Sequence, residues 1–207
     1  MPTNANFPDL ADAFAFLGNS LLAPISQTSD LGLDPSFWSI FPTFNDDAVA
    51  EAVSACTAYA QAASKRQEQG ENVRQAISVE YAKLFVGPPK PAVAPWETAW
   101  RSTSSVGFGE ATIQMRHLLA ESGLNASGAS NQYADHIGIE LLYASTLCEH
   151  IAVGSANEQV LSEFLQEHPL AWVDAFATAV AEAAPNGYYA RLADLAARIA
   201  NYAGRKQ

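Results

Sequence analysis

Helical periodicity dominates this chain wherever a period can be read. Between residues 46 and 66, Val49, Val53, Cys56 and Ala60 are spaced three or four apart, which places them on one face of a helix. The same spacing predicts helices over 10–23, 46–66, 72–85, 109–123, 133–152, 157–168, 169–184 and 188–203. No segment convincingly alternates apolar and polar residues as a strand does, and no repeat of fixed period occurs. We therefore expect an all-α, single-domain helical bundle over residues 1–207.

Composition limits the classes of partner. Of the 207 residues, 49% are hydrophobic, which is enough for a sizeable core. The net charge of -11 disfavours binding to nucleic acid or to an anionic membrane surface. The N-terminal region has no basic residue ahead of an apolar run, and no apolar run approaches the roughly 20 residues that span a bilayer. We expect a cytoplasmic protein without stable membrane insertion.

One stretch interrupts the helical pattern. Residues 81–100 read YAKLFVGPPKPAVAPWETAW, with Gly87 and Pro88 ending the helix over 72–85. We predict a long loop over residues 86–108, and loops of this length in compact domains are usually functional. A second, Gly/Ser-rich link is predicted over residues 123–131.

The sequence offers little catalytic chemistry. The prolines in the loop remove the backbone N–H donors that a phosphate-binding loop needs, and Cys56 and Cys148 are isolated, so we expect them to be small buried hydrophobes. Asp135, His136 and Glu140 form the one cluster that suits a metal-dependent enzyme, because His136 and Glu140 lie one helical turn apart. The structural alternative is that Asp135 caps a helix and that hydrogen bonds hold His136. We expect no metal and no cofactor.

Two tryptophans follow the prolines at helical spacing. Trp96 and Trp100 either anchor the returning loop on the bundle or line a groove whose rim includes Glu97 and Asp135. Aromatic rings with carboxylates nearby suit a peptide that is partly apolar and partly arginine. On this hypothesis Asp135→Asn weakens peptide binding more than folding.

Several motifs resemble the TorD/DmsD family of chaperones for molybdenum-containing oxidoreductases. They are LFVGP (84–88), APWETAW (94–100), FGEAT (108–112) and YADHIGIEL (133–141), and FLQEHPLAWVDAF (164–176) and the C-terminal helix extend the likeness to nearly the whole chain. The resemblance, which is closest to the DmsD branch, implies an all-helical cytoplasmic protein without enzymatic activity. Such a protein binds the twin-arginine signal peptide of a molybdopterin-containing catalytic subunit, assisting cofactor insertion and proofreading before export by the Tat pathway.

The resemblance also implies the residues that bind the signal peptide. They are Tyr81, Leu84, Phe85, Trp96, Glu97, Trp100, Asp135 and His136. Tyr81 stands where the DmsD branch has a tryptophan, and Pro89 also replaces one. The implied partners are the twin-arginine leader and the catalytic subunit of a molybdenum reductase, and the Gly-rich link is compatible with a homodimer formed by helix exchange.

Overall fold

A computed structural model describes residues 6–101, 108–124 and 132–205 of the chain. Within these ranges the regular structure is helical, with no strand and one isolated antiparallel bridge between Trp96 and His136. The α-helices are α1 (Phe7–Leu22), α2 (Pro35–Ile40), α3 (Asp47–Glu68), α4 (Val73–Tyr81), α5 (Thr98–Arg101), α6 (Glu110–Glu121), α7 (Ile137–Ala152), α8 (Glu158–Glu167), α9 (Val173–Ala183) and α10 (Tyr188–Ala203). The prediction of an all-α single-domain fold is confirmed.

The core forms around α1, α7 and α10. Helices α1 and α7 run antiparallel and share the most extensive helix contact, with the hydroxyl of Ser145 donating to the carbonyl oxygen of Ala11 at 2.8 Å. They cross at Gly18 and Gly138, where a Cβ on Gly138 would lie 2.7 Å from the carbonyl oxygen of Gly18. Two glycines at this crossing allow the two backbones to touch, so α7 is held deep in the bundle.

Capping residues define several helix ends. Asp46 accepts a hydrogen bond from the backbone N–H of Val49 at the start of α3. The N-terminus of α10 has no side-chain cap of its own. Instead Glu80 of α4 accepts the N–H of Tyr189 at 2.9 Å, and this contact joins α4 to α10.

Other helix boundaries differ from the predicted ones. Helix α7 begins at Ile137 rather than at residue 133, because residues 133–136 turn to pair with the loop. Helix α9 begins at Val173, after a short 3-10 helix over Pro169–Ala171. The short helices α2 and α5 were not predicted from periodicity, since six and four residues are too few to show a period.

The predicted loop and link are only partly covered. Residues 102–107 of the long loop and residues 125–131 of the Gly/Ser-rich link lie outside the described residues. None of the helices over the described ranges is both long enough and apolar enough to cross a bilayer. The two cysteines are buried and unpaired, as predicted, and burial raises the pKa of each thiol to about 12.

Candidate functional site

The chain leaves α4 through a widened helical turn. Residues Ala82–Val86 form a π-helix, a distortion that is often found at functional sites. Gly87 follows with a φ of 89°, a conformation that strains any residue with a Cβ. The chain then folds back, so that the N–H of Val93 donates to the carbonyl oxygen of Leu84 at 2.9 Å. The predicted motif LFVGP is therefore a reversal of the chain that directs the following residues toward α7.

Residues 93–101, which we call the strap, then attach to the N-terminus of α7. Trp96 and His136 form the antiparallel bridge: the N–H of Glu97 donates to the carbonyl oxygen of Asp135, and the N–H of Ile137 donates to that of Pro95, each at 2.9 Å. The strap thus follows a fixed register along residues 135–137.

Asp135 lies beneath the strap and is completely buried. Its carboxylate accepts hydrogen bonds from the backbone N–H of Thr98 at 3.0 Å and from the hydroxyl of Thr112 at 2.9 Å. It therefore joins α5 and α6 to the start of α7. The structural alternative, that Asp135 caps a helix, holds for α5 and not for α7, the helix that follows Asp135 in sequence.

The cap of α7 is His136. Its Nδ1 accepts the backbone N–H of Gly138 at 3.0 Å, and burial lowers the pKa of the imidazole to about 3. His136 is therefore neutral, with its proton on Nε2. That Nε2–H is a buried donor without a protein acceptor among the described residues.

Glu97 connects the strap to the junction between α8 and α9. Its carboxylate is buried, accepts the Nδ1–H of His168 at 2.8 Å, and accepts a second hydrogen bond from the guanidinium of Arg101. Arg101 also donates to the carbonyl oxygen of Glu167 at 2.6 Å. Burial acts to raise the pKa of Glu97, but the hydrogen bond and charge of His168 and the hydrogen bond from Arg101 lower it overall. Glu97 is therefore an ionised carboxylate inside the protein.

A second carboxyl group, that of Glu140, lies next to Glu97 and behaves oppositely. Burial raises its pKa well above the ordinary value, and the negative charge of Glu97 raises it further. Its Oε2 accepts the indole N–H of Trp172 at 3.1 Å. Because Glu97 accepts hydrogen bonds from Arg101 and His168, whereas the buried Glu140 accepts only the indole N–H of Trp172, the pair is one carboxylate and one neutral acid.

Aromatic rings pack beneath this polar network. Trp100 stacks against Trp172 with ring centroids 6.2 Å apart, and both rings contact Phe176. Phe176 in turn stacks on Phe85 at 5.9 Å, which meets Tyr81 edge to face. Trp100 of the strap and the rings of the YAKLF segment therefore belong to one packed layer.

A second group of rings faces outward. Trp96, Phe108 and Tyr133, which we call the aromatic platform, meet edge to face: Tyr133 lies 6.0 Å from Trp96 and 6.1 Å from Phe108. Phe108 and Tyr133 are 42% and 41% exposed. The guanidinium of Arg116 lies 5.1 Å from the centroid of the Phe108 ring, so the platform already holds one cation against a ring face.

The structure brings the eight predicted site residues together but buries six of them. Tyr81, Leu84, Phe85, Glu97, Asp135 and His136 are each less than 5% exposed, whereas Trp96 and Trp100 are half-buried. The predicted acidic rim is wrong: Glu97 and Asp135 are 0% exposed, because each carboxylate accepts hydrogen bonds from protein donors. Sequence reasoning missed Phe108 and Tyr133, although they are the first residues of two recognised motifs, FGEAT and YADHIGIEL.

The alternative of a metal site finds no support in this geometry. Within the described ranges, no group of three His, Cys, Asp or Glu residues has a metal-binding arrangement. Asp135 and His136 each use side-chain atoms in hydrogen bonds to the strap or to α7.

Comparisons with known proteins identify relatives of this chain. A Tat proofreading chaperone DmsD of Salmonella typhi is 28% identical over 152 residues, which cover 73% of this chain and 71% of that protein. A chaperone protein TorD of Vibrio cholerae is 26% identical over 140 residues, covering 65% and 63%. Alignments with the curated relatives span between 57% and 71% of those proteins' lengths.

A crystal structure from Archaeoglobus fulgidus, described as that of a redox enzyme maturation protein, matches with a TM-score of 0.54 over 91% of both chains. At 18% identity this likeness concerns the fold. The model of the nitrate reductase delta subunit family matches residues 45–178, which include the strap, the buried carboxylates and the aromatic platform. This chain therefore belongs to the nitrate reductase delta subunit family, together with the TorD and DmsD chaperones.

Proposed function

We propose that this protein is a cytoplasmic chaperone that binds the twin-arginine signal peptide of a molybdopterin-containing catalytic subunit. It would hold the subunit back until the cofactor is inserted and so proofread it before export by the Tat pathway. The observation that supports this most is membership of the family that includes chaperones named for Tat proofreading. The protein acts by binding and has no turnover of its own.

The aromatic platform is the surface that we assign to the leader. A contiguous patch of exposed apolar side chains on a protein surface often marks an interaction site. A twin-arginine leader combines an apolar segment with two guanidinium groups, and aromatic faces accept both. Within this protein, the contact between Arg116 and Phe108 already shows a guanidinium group lying against a ring of the platform. The net charge of -11 would add long-range attraction for such a basic peptide.

The buried site residues have a different role in this proposal. Asp135, Glu97 and His136 hold the strap against α7 and thereby fix the position of Trp96 at the edge of the platform. Binding sites gain affinity when their contact groups are rigid before the ligand arrives. These residues therefore support the leader-binding surface from beneath, and the arginines of the leader need not reach the buried carboxylates.

Calorimetric titration with a synthetic leader tests the function. The leader comes from a molybdoenzyme encoded in the same genome, and its control has both arginines replaced by alanine. Binding that weakens at least about tenfold with the control peptide, or about 1.4 kcal/mol, is the expected result. Equal binding of the two peptides, or no binding of any such leader to the folded protein, would contradict the proposal.

Variants then test the platform separately. We expect the double variant Phe108→Ala/Tyr133→Ala to lose at least about tenfold in leader affinity while its melting temperature changes little, because both rings are partly exposed and neither belongs to the core. Ile40→Ala is the matched control, since Ile40 is an 82% exposed apolar residue outside the platform. Unchanged affinity in the double variant would remove the platform from the site.

A further inference from the structure

A groove lies away from the strap, where the N-terminus of α1, the first turns of α8 and the C-terminus of α10 meet. It has a volume of about 450 Å³. Its floor is apolar and includes Phe7, Leu10, Leu161, Tyr202 and Ala203. Leu10 and Leu161 belong to the core and are only 1% and 2% exposed, so the groove opens directly onto the core of the bundle.

The rim of this groove is negatively charged. Glu158 and Glu163 line it from α8 and are exposed, and neither forms an ion pair with the residues that the structure describes. Glu163 accepts only the amide of Gln159, at 2.6 Å. The basic side chain in the lining, that of Arg205, is engaged with Asp46 at 2.7 Å.

The sequence reinforces this charge. No Lys or Arg occurs before Lys65 or between Arg116 and Arg191, so α1 and α8 contribute no basic group. The presence of an acidic residue at position 158 has a simple explanation, because a negative charge in the first turn of α8 interacts favourably with the helix dipole. Glu163 lies beyond that turn, and a helix-end effect does not account for it.

The groove is separate from the surface assigned to the leader. Glu158 begins α8, whereas His168 follows its last residue and contacts the strap through Glu97. At 1.5 Å per residue these two ends of α8 are about 15 Å apart. A ligand seated in the groove therefore leaves the strap and the platform free.

We propose that this groove is a second docking surface, which takes a peptide segment carrying a large apolar side chain flanked by lysine or arginine. The apolar residue would fill the floor, and the flanking cations would pair with Glu158 and Glu163. The occupant is a segment of another protein, because Glu158 and Glu163 call for basic partners and the basic side chain in the lining, Arg205, is engaged with Asp46. The inference does not depend on the leader-binding function.

Fluorescence anisotropy tests the proposal with a labelled amphipathic peptide of leucine and lysine, beside a peptide of leucine and glutamate. We expect the lysine peptide to bind, and to bind at least about tenfold more weakly to Glu158→Gln/Glu163→Gln. The double variant Glu68→Gln/Glu121→Gln removes the same charge from exposed sites elsewhere and should bind like the parent. Ala203→Phe, which fills the groove without changing charge, should abolish binding.

Several results would overturn the proposal. Equal weakening in the two glutamine variants would mean that the peptide responds to net charge alone. Normal binding to Ala203→Phe would place the peptide elsewhere, and a dimeric parent made monomeric by Ala203→Phe would assign the groove to a second copy of the chain. A calorimetric titration with the leader separates the two functions, because Ala203→Phe should bind the leader as the parent does.

Discussion

The buried carboxylate of Glu97 provides the sharpest test of how the strap is held. Glu97→Gln keeps the size of the side chain but removes its charge. A hydrogen bond to a charged group contributes about 1.5–3 kcal/mol, and we assign that value to the buried contact with His168. Arg101 is 44% exposed, so its ion pair adds only about 0–1 kcal/mol. We expect the substitution to lower the free energy of unfolding by about 1.5–4 kcal/mol at neutral pH.

The pH dependence of this difference follows from the lowered pKa of Glu97. In the unfolded chain the group has its ordinary pKa of 4.5, and in the folded protein the pKa is lower. The stabilisation by Glu97 is therefore fully present above pH 4.5 and is lost as the pH falls through the folded-state pKa. Urea denaturation of parent and variant, followed by circular dichroism between pH 7.5 and the acid limit, measures the difference.

Glu167→Gln is the control for this experiment, because Glu167 is adjacent to His168 but exposed. Its effect should stay within about 0.5 kcal/mol. The reasoning is refuted if Glu97→Gln also stays within that range at neutral pH, or if its effect does not shrink in acid. Either result would mean that Glu97 is not an ionised partner of His168.

Three further substitutions test neighbouring features by the same denaturation assay. Glu140→Gln should stabilise the protein, because a raised folded-state pKa makes the parent lose up to about 1.4 kcal/mol per pH unit above pH 4.5; a gain that does not grow with pH would contradict this. Gly138→Ala should cost about 1–3 kcal/mol, since its Cβ would press on the backbone of Gly18, and an unchanged unfolding midpoint would show that the helices can separate freely. Asp135→Asn should cost about 1–3 kcal/mol of stability and, because it loosens the strap beneath Trp96 without removing a ring, should weaken leader binding less than Phe108→Ala/Tyr133→Ala does. Weaker leader binding at full stability would restore the original hypothesis for Asp135.

The helices were predictable from the sequence because their signal is local. Apolar spacing, together with caps such as Asp46 and stops such as Gly87, lies within one turn of the element it describes. The observed helix boundaries differ from the predicted ones where residues near the helix end make contacts that the local pattern does not encode. Helix α7 starts at Ile137 because the strap pairs with residues 135–137, and α9 starts at Val173 because the segment after His168 forms a 3-10 turn.

The sequence could predict which residues lie at the candidate site, but not which of them are exposed on its surface. Motif resemblance identified Trp96, Glu97, Asp135 and His136, and the structure places them together on one bridge and its neighbours. It did not reveal which of them water can reach. In the sequence, Glu97 lies in an acidic, aromatic segment and therefore suggests an exposed binding group. Only its hydrogen bonds to His168 and Arg101 in the structure show that its carboxylate is buried.

The sequence by itself determined the helical class of this protein, the place where the chain reverses and the family to which it belongs, because periodicity, prolines and short motifs are encoded in neighbouring residues. Tertiary structure alone decided which acids are buried, which are charged and which rings face outward. Glu97 meets His168 across 71 positions of sequence, and Thr98 meets Asp135 across 37. Contacts over such distances form only when the helices pack, and they set both the protonation of the carboxylates and the exposure of the platform.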